Sequence, residues 1–211
     1  KSVSKSITSL CIGIAIDKGF IKSVHQSIFD YLPDHQHLNL SGKEKITIEH
    51  LLTMTSGLEW GEWGASLSSE KNDIVGIWFQ DKDPLTFILE KPLINEPGTT
   101  FNYSGGNTII LGEIIKNATN MGLDKFSEEY LFKPLEIDSS NWSLRYNNGV
   151  IEAGGGLDIT PRDMTKIGAM CLNNGTFSGK QIISEQWIEK CNTQYSNNTN
   201  IVIPGHASGS H

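Results

Sequence analysis

A chain of 211 residues that is 37% hydrophobic and carries 21 glycines has the composition of a loop-rich globular enzyme, not of a disordered protein. Its net charge of −7 arises from interspersed acids and bases with no basic block, which argues against nucleic acid or an anionic membrane surface as partner. No apolar run is long enough to span a bilayer, and three scattered cysteines without a CxxC give neither a disulfide framework nor a thiolate metal site.

The first stretch is Ser2-Val3-Ser4-Lys5, followed by an apolar run that stops at Asp17-Lys18-Gly19. Ile7, Leu10, Cys11 and Ile14 fall at helical spacing, and Ile12 and Ile16 make the remaining face apolar too. A helix apolar nearly all round belongs in a protein interior, and Gly19 is its stop signal. Ser2 and Lys5 then share one face, a turn apart, the arrangement in which an amine can take the proton of an attacking hydroxyl. The spacing alone is a weak signal: Ser68-Ser69-Glu70-Lys71 repeats it in a polar stretch with no helical pattern. Read without context, Ser2 is a helix cap.

Residues 20–37 read as a connection with a helical turn near 27–32, stopped by Pro33. His35 and His37 form an H-x-H without a third ligand nearby, so no metal site is expected. A second helix is predicted over 46–54, with Thr47 as its cap. The polar, Gly-rich stretch 58–73 reads as a long loop with Trp60 and Trp63 exposed, either as the wall of a site or folded back on the core. Residues 73–90 are mostly helical, with a break at Asp83-Pro84.

Asn95-Glu96-Pro97-Gly98 is a turn by composition, after which 99–102 is extended and delivers Tyr103-Ser104-Gly105-Gly106 to a buried helix marked by Ile109, Ile110, Leu111, Ile114 and Ile115. Tyr103 thus occupies a tight loop, where catalytic groups are often held; the alternative is a buried aromatic whose hydroxyl is satisfied by backbone. A short amphipathic helix follows at 124–132. The run Gly154-Gly155-Gly156 marks a sharp turn or a close approach of backbone to something else. Thr160-Pro161 opens a well-signalled helix carrying Met164, Ile167, Met170 and Cys171; a hairpin follows around Ser178-Gly179, and Ser184 caps a last helix. Cys11 and Cys171 read as small buried hydrophobes.

Four stretches together resemble the serine beta-lactamase-like family, which includes class C beta-lactamases, DD-peptidases, esterases and amide hydrolases. They are residues 2–10, SVSKSITSL; 46–58, ITIEHLLTMTSGL; 96–105, EPGTTFNYSG; and 155–164, GGLDITPRDM, and they occur in the family's order. The resemblance implies that Ser2 is the acylated nucleophile, Lys5 its proton-accepting partner and Tyr103 a general base and acid. Free Lys and Tyr titrate near pH 10, but packed together the cation favours phenolate and burial disfavours ammonium.

Gly105 stands where the family commonly has the Asn of Tyr-x-Asn, removing a side-chain amide beside the site and weakening beta-lactam specificity in favour of an esterase or another amidase. The third motif, Lys-Thr-Gly or His-x-Gly on a strand, has one candidate, Gly205-His206-Ala207-Ser208-Gly209, in a tail whose Gly-Ser-His ending reads equally as an added sequence. Gly105 and His206 are the candidate substrate-binding positions.

The fold implied is α+β and beta-lactamase/transpeptidase-like, with this chain mostly the helical part and most of the antiparallel sheet missing. The 211 residues read as one partial domain, helical over about 1–192 with an undefined tail at 193–211. The missing sheet, and with it one oxyanion-hole donor, is expected from further segments or a partner chain. The expected function is hydrolysis of a small-molecule ester or amide without metal or cofactor. The alternative is a non-catalytic penicillin-binding or sensor module of the same fold. The resemblance leans towards a periplasmic or secreted protein.

Overall fold

Helix α1 (Val3–Asp17) is the axis of the molecule, with Ile7, Leu10, Cys11, Ile12, Ile14 and Ala15 all buried. The structure, a computed structural model, describes residues 2–62, 69 and 71–195. The chain leaves α1 through Gly19 in a left-handed conformation and makes two 3-10 turns, Ile28–Tyr31 and Pro33–Leu38. It then enters α2 (Ile48–Leu52), shorter than the predicted 46–54 because Thr47 caps it and Met54 is left-handed (φ 58°). The cap is reciprocal: Thr47 Oγ1 accepts from the His50 amide while His50 Nδ1 accepts from the Thr47 amide, both at 3.3 Å.

The predicted break at Pro84 separates α3 (Asp73–Phe79) from α4 (Pro84–Glu90), whose cap is the Asp83 carboxylate 2.8 Å from the Thr86 amide. Next comes α5 (Gly105–Thr119), which packs along α1 and buries Ile109, Ile110, Leu111, Ile114 and Ile115. α6 (Leu123–Ser127) runs on into a π-helical turn, Glu128–Phe132. After β1 (Asn141–Trp142), residues 144–152 form an irregular hairpin. It returns through the Gly154–Gly156 run to β2 (Leu157–Asp158), antiparallel to β1 with Trp142 opposite Leu157. α7 (Pro161–Leu172) starts at the Thr160 cap. β3 (Thr176–Phe177) and β4 (Lys180–Gln181) turn through Ser178 and Gly179, both at positive φ as a two-residue hairpin requires. α8 (Glu185–Cys191) lies back across α1, its Trp187 ring over Gly13.

The described residues are therefore mainly helical with two small two-stranded ladders, as expected for the helical part of an α+β fold. No helix among them is long and apolar enough to cross a membrane. Of the two readings left open for Trp60, the one folded back on the core is the one observed. Its ring is buried, edge-on to Phe87 at 6.4 Å and against Gly106, because the adjoining 57–59 stretch hydrogen-bonds to the 92–95 strand-like segment instead of looping free. Cys171 is only half-buried, since Gly168 and Leu172 beside it face outward. Trp63, Ser68 and Glu70 of the 58–73 stretch, and the tail with Gly205 and His206, lie outside the described residues.

Candidate active site

Two segments distant in sequence meet at the open end of α1. Ser2 occupies the N-cap position but is not a cap: its side chain accepts no bond from the helix amides and lies exposed. Its Oγ instead accepts a 2.8 Å hydrogen bond from the Tyr103 hydroxyl. The Lys5 Nζ, one turn along the same face, donates to the Gly154 carbonyl at 2.9 Å and lies 5.0 Å from the Tyr103 ring centroid. Of the residues singled out in the sequence, Ser2 and Tyr103 are thus in contact, and Lys5 faces the Tyr103 ring.

Each is held by backbone. Asn102 bonds through its amide to the Met54 carbonyl and through its side chain to the Trp60 carbonyl, at 2.8 and 3.0 Å, fixing the residue before Tyr103. The Ser104 hydroxyl, next in sequence, caps α5 by accepting from the Asn107 amide at 3.2 Å. Across the site, Ser4 Oγ is buried and accepts from the Leu157 amide at 3.2 Å, and Thr8 Oγ1 donates to the Ala153 carbonyl at 3.1 Å. Buried bonds of this kind are costly to leave unmade, so they lock the 153–157 segment against the first two turns of α1.

Gly105 is brought close but offers no side chain. It is buried at the start of α5, and its amide donates to Glu62 Oε2 at 2.6 Å, a carboxylate that also accepts from the Trp60 indole at 3.0 Å. A methyl group on Gly105 would lie 2.8 Å from Ile74 Cδ1 and 3.1 Å from Glu62 Oε2, so the space of a side chain here is already filled.

Two acidic groups were not foreseen in the sequence. Glu62 is one. The other is Glu152, buried beneath the glycine run, with its Oε1 accepting from the Gly154 amide at 3.0 Å. Burial pushes its carboxyl above the ordinary value, the Lys5 ammonium and the Gly154 amide pull the other way, and Glu62 adds to the rise. Tyr146, its ring tilted against Trp78 with centroids 4.3 Å apart, has its phenol pushed far up by burial and by Glu152 and Glu62. The sequence signal for Glu152 was available: an acid flanked by Val150, Ile151 and Ala153, all apolar, enters a core with them. No cluster of three metal-ligating side chains occurs among the described residues. The His35 imidazole is instead paired with Asp83 at 2.9 Å.

A family model described as Beta-lactamase matches residues 1–201. The 6-aminohexanoate-dimer hydrolase of Paenarthrobacter ureafaciens is 28% identical over 194 residues, which are 89% of this chain and 48% of that protein. Among solved structures, a putative 6-aminohexanoate-dimer hydrolase from Bacillus anthracis superposes with a TM-score of 0.76 at 22% identity, covering 92% of this chain and 52% of that one. A D-stereospecific amidohydrolase from Streptomyces gives 0.71 at 18% identity, covering 94% and 66%. At such identities the structural likenesses speak to the fold, which is that of the beta-lactamase/transpeptidase type. The chain spans about half the length of the first of these relatives.

Proposed function

The chain belongs to the beta-lactamase family, and on that premise we propose that it is a serine hydrolase that opens an ester or amide carbonyl through an acyl-enzyme on Ser2, with Lys5 and Tyr103 as its proton-transfer groups. The observation that carries this reading is the 2.8 Å hydrogen bond between the Tyr103 hydroxyl and Ser2 Oγ, with the Lys5 amine 5.0 Å from the same ring. It joins two of the residues chosen from sequence across a separation of 101 positions.

On attack, the Ser2 O–H bond breaks as the Oγ–carbon bond forms, and the proton passes to the Tyr103–Lys5 pair. A cation beside the ring favours phenolate, so Lys5 assists Tyr103 even without touching Ser2. The tetrahedral intermediate expels its alcohol or amine, which takes that proton. Water then hydrolyses the Ser2 ester with the same groups working in reverse. The Ser2 amide, at the positive end of a fifteen-residue helix, is one donor to the oxyanion. The relatives, a dimer hydrolase and an amidohydrolase, favour an amide among the two substrate classes.

A penicillin-binding or sensor module is the second reading. It is favoured by Gly105, which contributes no side-chain amide and has its backbone amide taken by Glu62. Incubating the intact protein with a fluorophosphonate or penicillin probe separates the two. The hydrolase reading expects an adduct that is lost in Ser2→Ala and steady release of product from an ester or amide substrate. An adduct without turnover supports the module, and no adduct on folded protein sinks the hydrolase reading.

A further inference from the structure

Lys5 and Glu152 flank the same glycine. A methyl group built on Gly154 would lie 2.9 Å from Lys5 Nζ and 3.0 Å from Glu152 Oε1, a space that only a residue without a side chain leaves to two charged groups. Nothing in the reaction scheme above uses Glu152, yet it is 6% exposed, and a buried carboxylate is retained at a cost unless something compensates it. The hairpin over 144–152 places it deliberately. Tyr146 N–H donates to the Val150 carbonyl at 2.8 Å and Glu152 N–H to the Leu144 carbonyl at 3.0 Å, so the strand register turns the Glu152 side chain inward beneath the glycines.

We propose that Glu152 is the positioning residue that sets the charge state of Lys5: its carboxylate holds the amine as ammonium and thereby determines how readily that amine accepts the Ser2 proton. This rests on the reading of Lys5 as a proton-transfer group. The groups facing Glu152 are few. Lys5 comes from α1 and Glu62 from the loop before α3; the Tyr146 phenol comes from the hairpin itself, its hydroxyl buried and without a hydrogen-bond partner. Lys5 is the only cation that this set of described residues brings to the carboxylate. Two carboxylates, one amine and a phenol, partly or fully buried beside one another, form a coupled set, in which removing one charge shifts the protonation of the others.

The test reads Lys5 directly, with no substrate. The intact protein is treated with isotopically labelled acetic anhydride at pH 8, and the rate of Lys5 acetylation is followed by peptide mass spectrometry. Glu152→Gln keeps the shape and an acceptor for the Gly154 amide but loses the charge, so Lys5 acetylation is expected to quicken about tenfold. Glu152→Asp keeps the charge and should stay within about threefold of wild type. An unchanged rate in Glu152→Gln, or Gln and Asp behaving alike, overturns the proposal and leaves Glu152 a packing residue. The wild-type protein offers a reciprocal measurement independent of any variant's folding. Once Lys5 is acetylated, the Glu152 carboxyl, followed by carbon-13 NMR, must titrate at higher pH; an unmoved midpoint overturns the coupling. In a catalytically competent protein, the acid limb of the acylation rate moves to lower pH in Glu152→Gln. Failure of Ser2 labelling would fall on the hydrolase reading alone, because both Lys5 measurements stay legible without it.

Discussion

Tyr103 separates chemistry from architecture better than any other residue of the site. Lys5 holds the Gly154 carbonyl as well as facing the ring, so removing it both disturbs the 153–157 segment and removes a charge. The Tyr103 hydroxyl, by contrast, is bonded to the exposed Ser2 side chain, while the neighbours that position the residue, Asn102 and Ser104, bond elsewhere. Tyr103→Phe keeps the ring beside Lys5 and deletes one oxygen. On the hydrolase reading, the rate of Ser2 acylation should fall by about 10²- to 10⁴-fold, the usual range for a lost acid–base group. The melting temperature should hardly move, since a hydroxyl at an open site contributes within about 0.5 kcal/mol. Stopped-flow acylation beside a thermal melt checks both, and a destabilised Tyr103→Phe with normal acylation would return Tyr103 to the role of a packed aromatic.

At the scale of elements, α1 sets the constraints on everything packed round it. Its Gly13 lies under the Trp187 ring of α8, where an added Cβ would come 2.5 Å from three ring atoms, closer than carbon atoms can approach. In a helix interior Ala is ordinarily better than Gly by up to about 1 kcal/mol. Here the clash should outweigh that gain, so Gly13→Ala is expected to destabilise by about 1–3 kcal/mol, measured by urea unfolding. A stabilised variant would mean that α8 moves aside at no cost.

The elements legible in the sequence were those whose ends are written in local chemistry. Thr160-Pro161, Asp83-Pro84, Thr47 and Ser178-Gly179 each form the cap or turn expected, because a cap needs only its own neighbours. The meeting of Ser2 with Tyr103 was legible only through resemblance, since spacing along one helix says nothing of a residue 101 positions away. Trp60 was left open between wall and core because its burial depends on Phe87 and Gly106, partners outside its own stretch. Glu152 was missed although its apolar neighbours Val150, Ile151 and Ala153 marked its segment as buried. The glycine run announced a close approach, but the groups approaching it come from α1 and from the hairpin.

For the molecule as a whole, the role proposed for Glu152 would set function against stability in a way that pH exposes. A carboxyl whose folded value lies above the ordinary 4.5 binds protons more readily in the folded than in the unfolded chain. Stability therefore falls as pH rises through the interval between those two values, and above it the full cost of the buried charge is present. Burial is the largest contributor, and Lys5 offsets it only in part. The sign is opposite to that of a carboxylate such as Asp83, where burial is outweighed by the Thr86 amide and His35; its stabilisation is present at neutral pH and is lost as pH falls through its lowered value. Glu152→Gln should accordingly raise the melting temperature at pH 7.5, by about 2–4 °C for each kcal/mol relieved in a chain of this size. The gain should shrink towards pH 4, where the wild-type carboxyl is itself protonated. Stabilising substitutions that impair a working site are a common pattern, because strained or buried charges there are kept for activity. Differential scanning calorimetry of both proteins across pH 4–8 decides the matter. A variant less stable than wild type at neutral pH would mean that the Lys5 attraction exceeds the burial cost, and that Glu152 holds the site together rather than straining it.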